Sequence, residues 1–183
     1  MNLANGITLL RILIVPIIIT SIAYYDGKTE SIRYLALGLF IVCCVTDAID
    51  GYVARMFKQK TELGTLLDPM ADKLLLIGTL LSISFQSNFP IKPPIWVVIV
   101  ITSRDFLIVM GLLILFFTTG KIRVAPNLLG KITTVFQMLT LVFLLLENPS
   151  VPILWNITAL LTILSGAVYI VREGRRLREV SVP

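Results

Sequence analysis

Four aspartates interrupt a chain that otherwise avoids charge. Asp47 and Asp50 are followed by Asp68 and Asp72, with Gly51, Ala54, Arg55 and Gly64 set between them. On a helix, Asp47, Asp50, Gly51, Ala54 and Arg55 fall at i, i+3, i+4, i+7 and i+8, which is one stripe. Gly64, Asp68 and Asp72 fall at i, i+4 and i+8, a second stripe. Two antiparallel helices can turn these stripes towards each other, and the small residues then leave volume beside the acids. Four ionised carboxylates about 6 Å apart repel by roughly 3 kcal/mol per pair at an effective dielectric near 20, so protons or cations must intervene. Oxygen-only ligands select hard divalent ions, Mg²⁺ or Mn²⁺, and two ions fit four acids. Such a site suits in-line displacement at phosphorus. The same acids could instead pair with Arg55, Lys73 and Arg104, or form a proton path in a transporter.

The elements that carry these residues are set by composition. The chain has 183 residues, 56% hydrophobic and 15% charged, with a mean hydropathy of +0.91. Soluble domains carry about 25% charge, so this chain lacks the polar surface for a water-facing globule. It reads as one integral membrane domain over residues 1–183, which excludes disorder, a soluble solenoid and a secreted disulfide scaffold. Spans of about 20 apolar residues are expected at Ile7–Tyr25, Tyr34–Phe57, Gly64–Phe85, Pro94–Thr118, Leu128–Leu146 and Ile153–Val171. The predicted fold is all-α: a polytopic bundle of six transmembrane helices with both termini cytoplasmic. Lys and Arg gather on cytoplasmic loops, and Arg55, Lys58, Lys60, Lys121, Arg123 and the tail from Arg172 lie on one side, against Lys28, Arg33 and Lys92 on the other. The first span carries Arg11 and lacks a cleavage pattern, so it reads as a retained helix.

Further chemistry is bounded by what is missing. No histidine is present, which removes Ser-His-Asp and Cys-His nucleophiles and most zinc sites. The two cysteines, Cys43 and Cys44, are adjacent in an apolar run and give no metal spacing. Basic residues are scattered over short loops, which argues against nucleic acid as a partner. A buried Asp costs about 2.5–3.5 kcal/mol at mid-membrane, so four on one hairpin point to function.

Taken together, Asp47-x2-Asp50-Gly51-x2-Ala54-Arg55-x8-Gly64-x3-Asp68-x3-Asp72 resembles the signature of the CDP-alcohol phosphotransferase family, and the length and helical plan are similar throughout. The resemblance implies transfer of a phosphatidyl group from CDP-diacylglycerol to an alcohol, with CMP leaving. It implies that Asp47, Asp50, Asp68 and Asp72 hold two divalent cations, Mg²⁺ or Mn²⁺, and that Asp72 takes the proton from the attacking hydroxyl. Gly51, Ala54, Gly64 and Arg55 would then bind the CDP-lipid, Arg55 as a charge-assisted phosphate donor. It also implies a homodimer among membrane lipids, in a bacterial inner membrane, with its site facing the cytoplasm.

The acceptor is addressed by other residues. Asn5, Thr8 and Arg11 are similar to the Asn-x-x-Thr-x-x-Arg start of the phosphatidylglycerophosphate synthase branch, and Gly130-Lys131 with Thr134 and Gln137 is similar too. That resemblance implies glycerol 3-phosphate as acceptor, with Asn5 and Thr8 at the nucleotide and Arg11, Arg104 and Lys131 at acceptor phosphate. Arg104-Asp105 departs from the Arg-Glu usual there, and no second Arg follows. In this respect the chain is more similar to cardiolipin synthases, whose acceptor is phosphatidylglycerol.

Overall fold

The computed structural model describes residues 3–57, 62–119 and 128–180, with side chains described over 8–49, 68–114, 116–117 and 128–172. Six helices follow one another: α1 (Leu3–Ala23), α2 (Glu30–Phe57), α3 (Glu62–Phe85), α4 (Ile95–Thr119), α5 (Leu128–Leu145) and α6 (Val151–Val180). The all-α bundle is as expected. The count of crossings is not. Among the described residues, four helices contain a segment long and apolar enough to cross a membrane: Glu30–Ile49, Ile95–Ile114, Leu128–Leu145 and Val151–Arg172. In α1 only the shorter stretch Thr8–Ala23 is apolar, and α3 opens on Asp68, Asp72 and Lys73. The expectation of six transmembrane helices is therefore corrected to a six-helix, multi-pass bundle with four helices that qualify as spans. The cytoplasmic placement of both termini, which rested on six crossings, goes with it. In α3 the physical reason is that Asp68, Asp72 and Lys73, set inside the bundle, lower its hydropathy; in α1 the described apolar stretch, Thr8–Ala23, is too short to qualify.

α3 lies centrally, packed on α1, α4 and α5, while α1 also packs on α2, and α6 packs on α4 and α5. Side-chain bonds fix the directions. Gln86, just past α3, donates through Nε2 to the carbonyls of Ile22 (3.1 Å), Ala23 (2.6 Å) and Tyr25 (3.1 Å). Asn88 adds a bond to the Tyr25 carbonyl at 2.9 Å. These amides satisfy carbonyls that a helix end leaves without partners and put the C-terminal ends of α1 and α3 side by side. At the same end, Glu147 accepts from the Tyr25 hydroxyl (2.8 Å) and pairs with Arg33 of α2 (2.7 Å). Glu147 is left-handed (φ 53°), and the Asn148 amide closes back onto the Phe143 carbonyl at 3.0 Å, a wrapped C-terminal turn that usually takes glycine. In the α1–α2 turn Gly27 takes φ 80°, and the amides of Thr29 and Lys28 hold the Asp26 carboxyl below the usual carboxylate range.

The core is apolar and close-packed around Ile18, Ile22, Phe40, Leu75, Leu76, Ile83, Leu144 and Leu145. A line of hydroxyls joins α5 to α6: Thr140 and Thr158 bond at 2.8 Å, and Thr133 reaches the Leu161 carbonyl at 3.3 Å. Such interhelical bonds replace the hydrophobic drive that lipid cannot supply. Pro69 lies inside α3, so one α-helical bond is missing directly beside Asp68.

Candidate functional site

At the end of the bundle opposite Glu147, α1 crosses the start of α3 and the later half of α2. Asp68 and Asp72, one turn apart, point to the α1 side of α3. The Thr8 hydroxyl donates to Asp68 Oδ1 at 2.6 Å. One turn on, Arg11 Nη1 meets Asp72 Oδ1 at 2.7 Å and Asp47 Oδ1 of α2 at 2.9 Å. Arg11 is 2% exposed; Asp47 and Asp72 are part-exposed. Three helices thus bring three of the four predicted aspartates onto one face of α1. The fourth, Asp50, lies outside the described side chains. So do Asn5, Gly51, Ala54, Arg55 and Gly64, whose expected contacts with the CDP-lipid are therefore not described.

Lys73 follows Asp72, and a step of about 100° around the helix turns it from α1 to α4. There its Nζ meets Asp105 Oδ1 at 2.8 Å, and Arg104 Nη1 meets the same oxygen at 2.8 Å. Arg104 Nη2 donates to Ser165 Oγ of α6 at 2.7 Å. Asp105 is fully buried, which in a low-dielectric interior is tolerable only with counter-charges. Two cations against one carboxylate leave a surplus positive charge next to the acidic cluster. Lys73, named in sequence only as a possible partner for the four acids, pairs with Asp105 instead; Ser165 gave no signal in the sequence. Gln137 is buried beside Leu76, Leu80, Ile101 and Thr140, and neither amide atom has a hydrogen-bond partner among the described residues. Lys131 is exposed in the first turn of α5, and no described contact joins it to Arg104 or Arg11. Cys43 and Cys44 are free thiols.

Among the described residues no three acids, cysteines or histidines stand close enough to hold one metal ion. The donor set nevertheless suits a hard cation. Asp47, Asp68 and Asp72 offer only oxygen, and two of them already converge on a single positively charged nitrogen.

A bundle in which α2 and the start of α3 turn spaced aspartates towards each other at one membrane-proximal end is the frame of a phosphatidyl-transfer family, and residues 1–170 match the CDP-alcohol phosphatidyltransferase profile. The chain belongs to that family. It is 38% identical to the CDP-diacylglycerol–glycerol-3-phosphate 3-phosphatidyltransferase of Bacillus subtilis (strain 168), over 97% of each chain. It is 32% identical to a probable phosphatidylglycerophosphate synthase of Mycobacterium tuberculosis (strain H37Rv ATCC 25618), covering 95% of this chain and 82% of the other. It is 34% identical to the Rickettsia felis protein named like the first, over 92% and 93%.

Proposed function

We propose that this protein transfers the phosphatidyl group of CDP-diacylglycerol to glycerol 3-phosphate, releasing CMP, in one catalytic domain spanning the chain. The observation that carries the reading is the placement of Asp47 of α2 and Asp68 and Asp72 of α3 against the one face of α1 that bears Thr8 and Arg11, in a chain of this family. Asp47, Asp50, Asp68 and Asp72 are the residues that would hold two divalent cations, Mg²⁺ or Mn²⁺. When bound, these would supply positive charge where it develops negative on the departing CMP. Asp72 accepts the proton of the attacking hydroxyl. Arg55, with Gly51, Ala54 and Gly64 leaving room, binds the CDP-lipid, and Asn5 and Thr8 flank the nucleotide. Arg104 and Lys131 provide cations for the acceptor phosphate, and the surplus charge of the Lys73–Asp105–Arg104 cluster supports that assignment. Family membership sets aside the reading of the acids as a transporter's proton path.

In sequence, the segments after α2 and after α4 carry Arg55, Lys58, Lys60, Lys121 and Arg123, and this charge pattern supports a site that faces the cytoplasm of a bacterial inner membrane. The family resemblance supports a homodimer. The direct experiment supplies purified protein with CDP-diacylglycerol and labelled glycerol 3-phosphate or phosphatidylglycerol, one at a time. CMP release with label in phosphatidylglycerophosphate is the expected result. Consumption of phosphatidylglycerol alone would reassign the chain to cardiolipin synthesis. Excess EDTA should stop turnover, and Mg²⁺ or Mn²⁺ should restore it; turnover that survives the chelator would remove the metals from the reading.

A further inference from the structure

Among the described residues Arg11 is the largest side chain buried almost completely, and one of its nitrogens is engaged by both Asp47 and Asp72. Those oxygens are among the ones the proposed function gives to divalent cations. A small divalent ion such as Mg²⁺ takes carboxylate oxygens at about 2.0–2.1 Å, and a second cation beside the same oxygens is repelled. An ion seated on the Oδ1 atoms that Arg11 Nη1 holds therefore competes with Arg11 for Asp47 and Asp72.

α1 is built so that its first half can yield. Its C-terminal end is fastened by Gln86 and Asn88, and Ile18 and Ile22 sit in the core. Pro16 lies inside the helix between that anchored half and Arg11, and proline removes the backbone bond that would stiffen this point. Beyond it, a side chain at Gly6 would meet no atom within 4 Å, so there is open space beside α1 at that position. Thr8, which is neutral, holds Asp68 by a single bond.

We infer that Arg11 is an internal counter-ion which a divalent cation must displace from Asp47 and Asp72, coupling ion binding to the position of the first half of α1 about Pro16. The inference rests on the proposed metal-holding role of these aspartates. Coupling of this kind is reciprocal and typically amounts to a factor of about 5–150.

The test measures Mn²⁺ binding to the full chain in detergent without CDP-lipid, by the spectroscopic signal of free Mn²⁺. Arg11→Gln should bind Mn²⁺ about tenfold more tightly than the native chain, and Arg11→Lys, which keeps a positive charge, should stay near the native value. Equal or weaker binding by Arg11→Gln would overturn the counter-ion role while leaving the metal reading standing. Absence of Mn²⁺ binding in both the native chain and Arg11→Gln would defeat the metal reading itself. Should Arg11→Gln fail to fold, hydrogen exchange of native α1 decides: Mn²⁺ should speed exchange of the amides before Pro16 and spare those after it, and unchanged exchange would refute the coupling.

Discussion

Asp72 and Lys73 are adjacent in the chain and stand in opposite electrostatic surroundings. Asp72 belongs to the acidic cluster held by Arg11; Lys73 belongs to the cationic one held by Asp105. Substitutions at the two clusters should accordingly separate chemistry from stability. Asp72→Asn removes the proposed base and keeps the shape, so the rate of CMP release should fall by about 10²–10⁴ while the denaturation midpoint in micelles stays close to native. Near-native turnover would show that another group takes the proton. Asp105→Asn leaves Lys73 and Arg104 buried without a carboxylate, and the loss should be about 3 kcal/mol of stability, read by denaturant unfolding in mixed micelles. An unchanged midpoint would mean that the cluster is solvated or otherwise neutralised.

At the scale of elements, the helices follow the apolar segments closely, because burial in lipid requires internally bonded backbone. The expected third span, Gly64–Phe85, becomes Glu62–Phe85, and the fifth differs from its expected end by a single residue. Where they differ, hydropathy and helix are different things: α6 continues past Val171 to Val180 through residues such as Arg and Glu, which favour helix but not lipid. The shared face of Asp68 and Asp72 was legible from i, i+4 spacing. The helix that would answer it was not, because periodicity names a face without naming a neighbour; hence Arg11 was expected at acceptor phosphate and is found between Asp47 and Asp72. Packing partners were illegible for the same reason. A Cβ at Gly111 of α4 would overlap the Tyr169 hydroxyl of α6, so Gly111→Ala must push the end of the Tyr169 side chain aside and should destabilise by about 1 kcal/mol. At the opposite end, Arg33→Met strips the partner from Glu147, a residue already in a left-handed conformation, and should cost about 3 kcal/mol. Both are checked by unfolding in micelles, and a neutral outcome at either would show that the contact yields without loss.

The whole molecule is polar along its axis. One end is fastened by neutral and paired groups, Gln86, Asn88, Tyr25 and the Arg33–Glu147 bond; the other gathers Asp47, Asp68 and Asp72 around Thr8 and Arg11. This asymmetry suits a reaction that joins a membrane-bound nucleotide lipid to a water-soluble phosphate, since both must meet at a single interface supplied from the cytosol. The proposed orientation rests on the basic segments, whose translocation is opposed. Single cysteines placed by Lys28→Cys or Arg172→Cys, in a chain with Cys43 and Cys44 replaced by alanine, report the two ends. A membrane-impermeant maleimide added to intact bacterial cells without an outer membrane should label position 28 and spare position 172, and lysis should expose both. Labelling of position 172 in intact cells would place the carboxylates on the outer face, away from any cytosolic supply of CDP-lipid and glycerol phosphate, and the proposed reaction could not then run in the direction the site is built for.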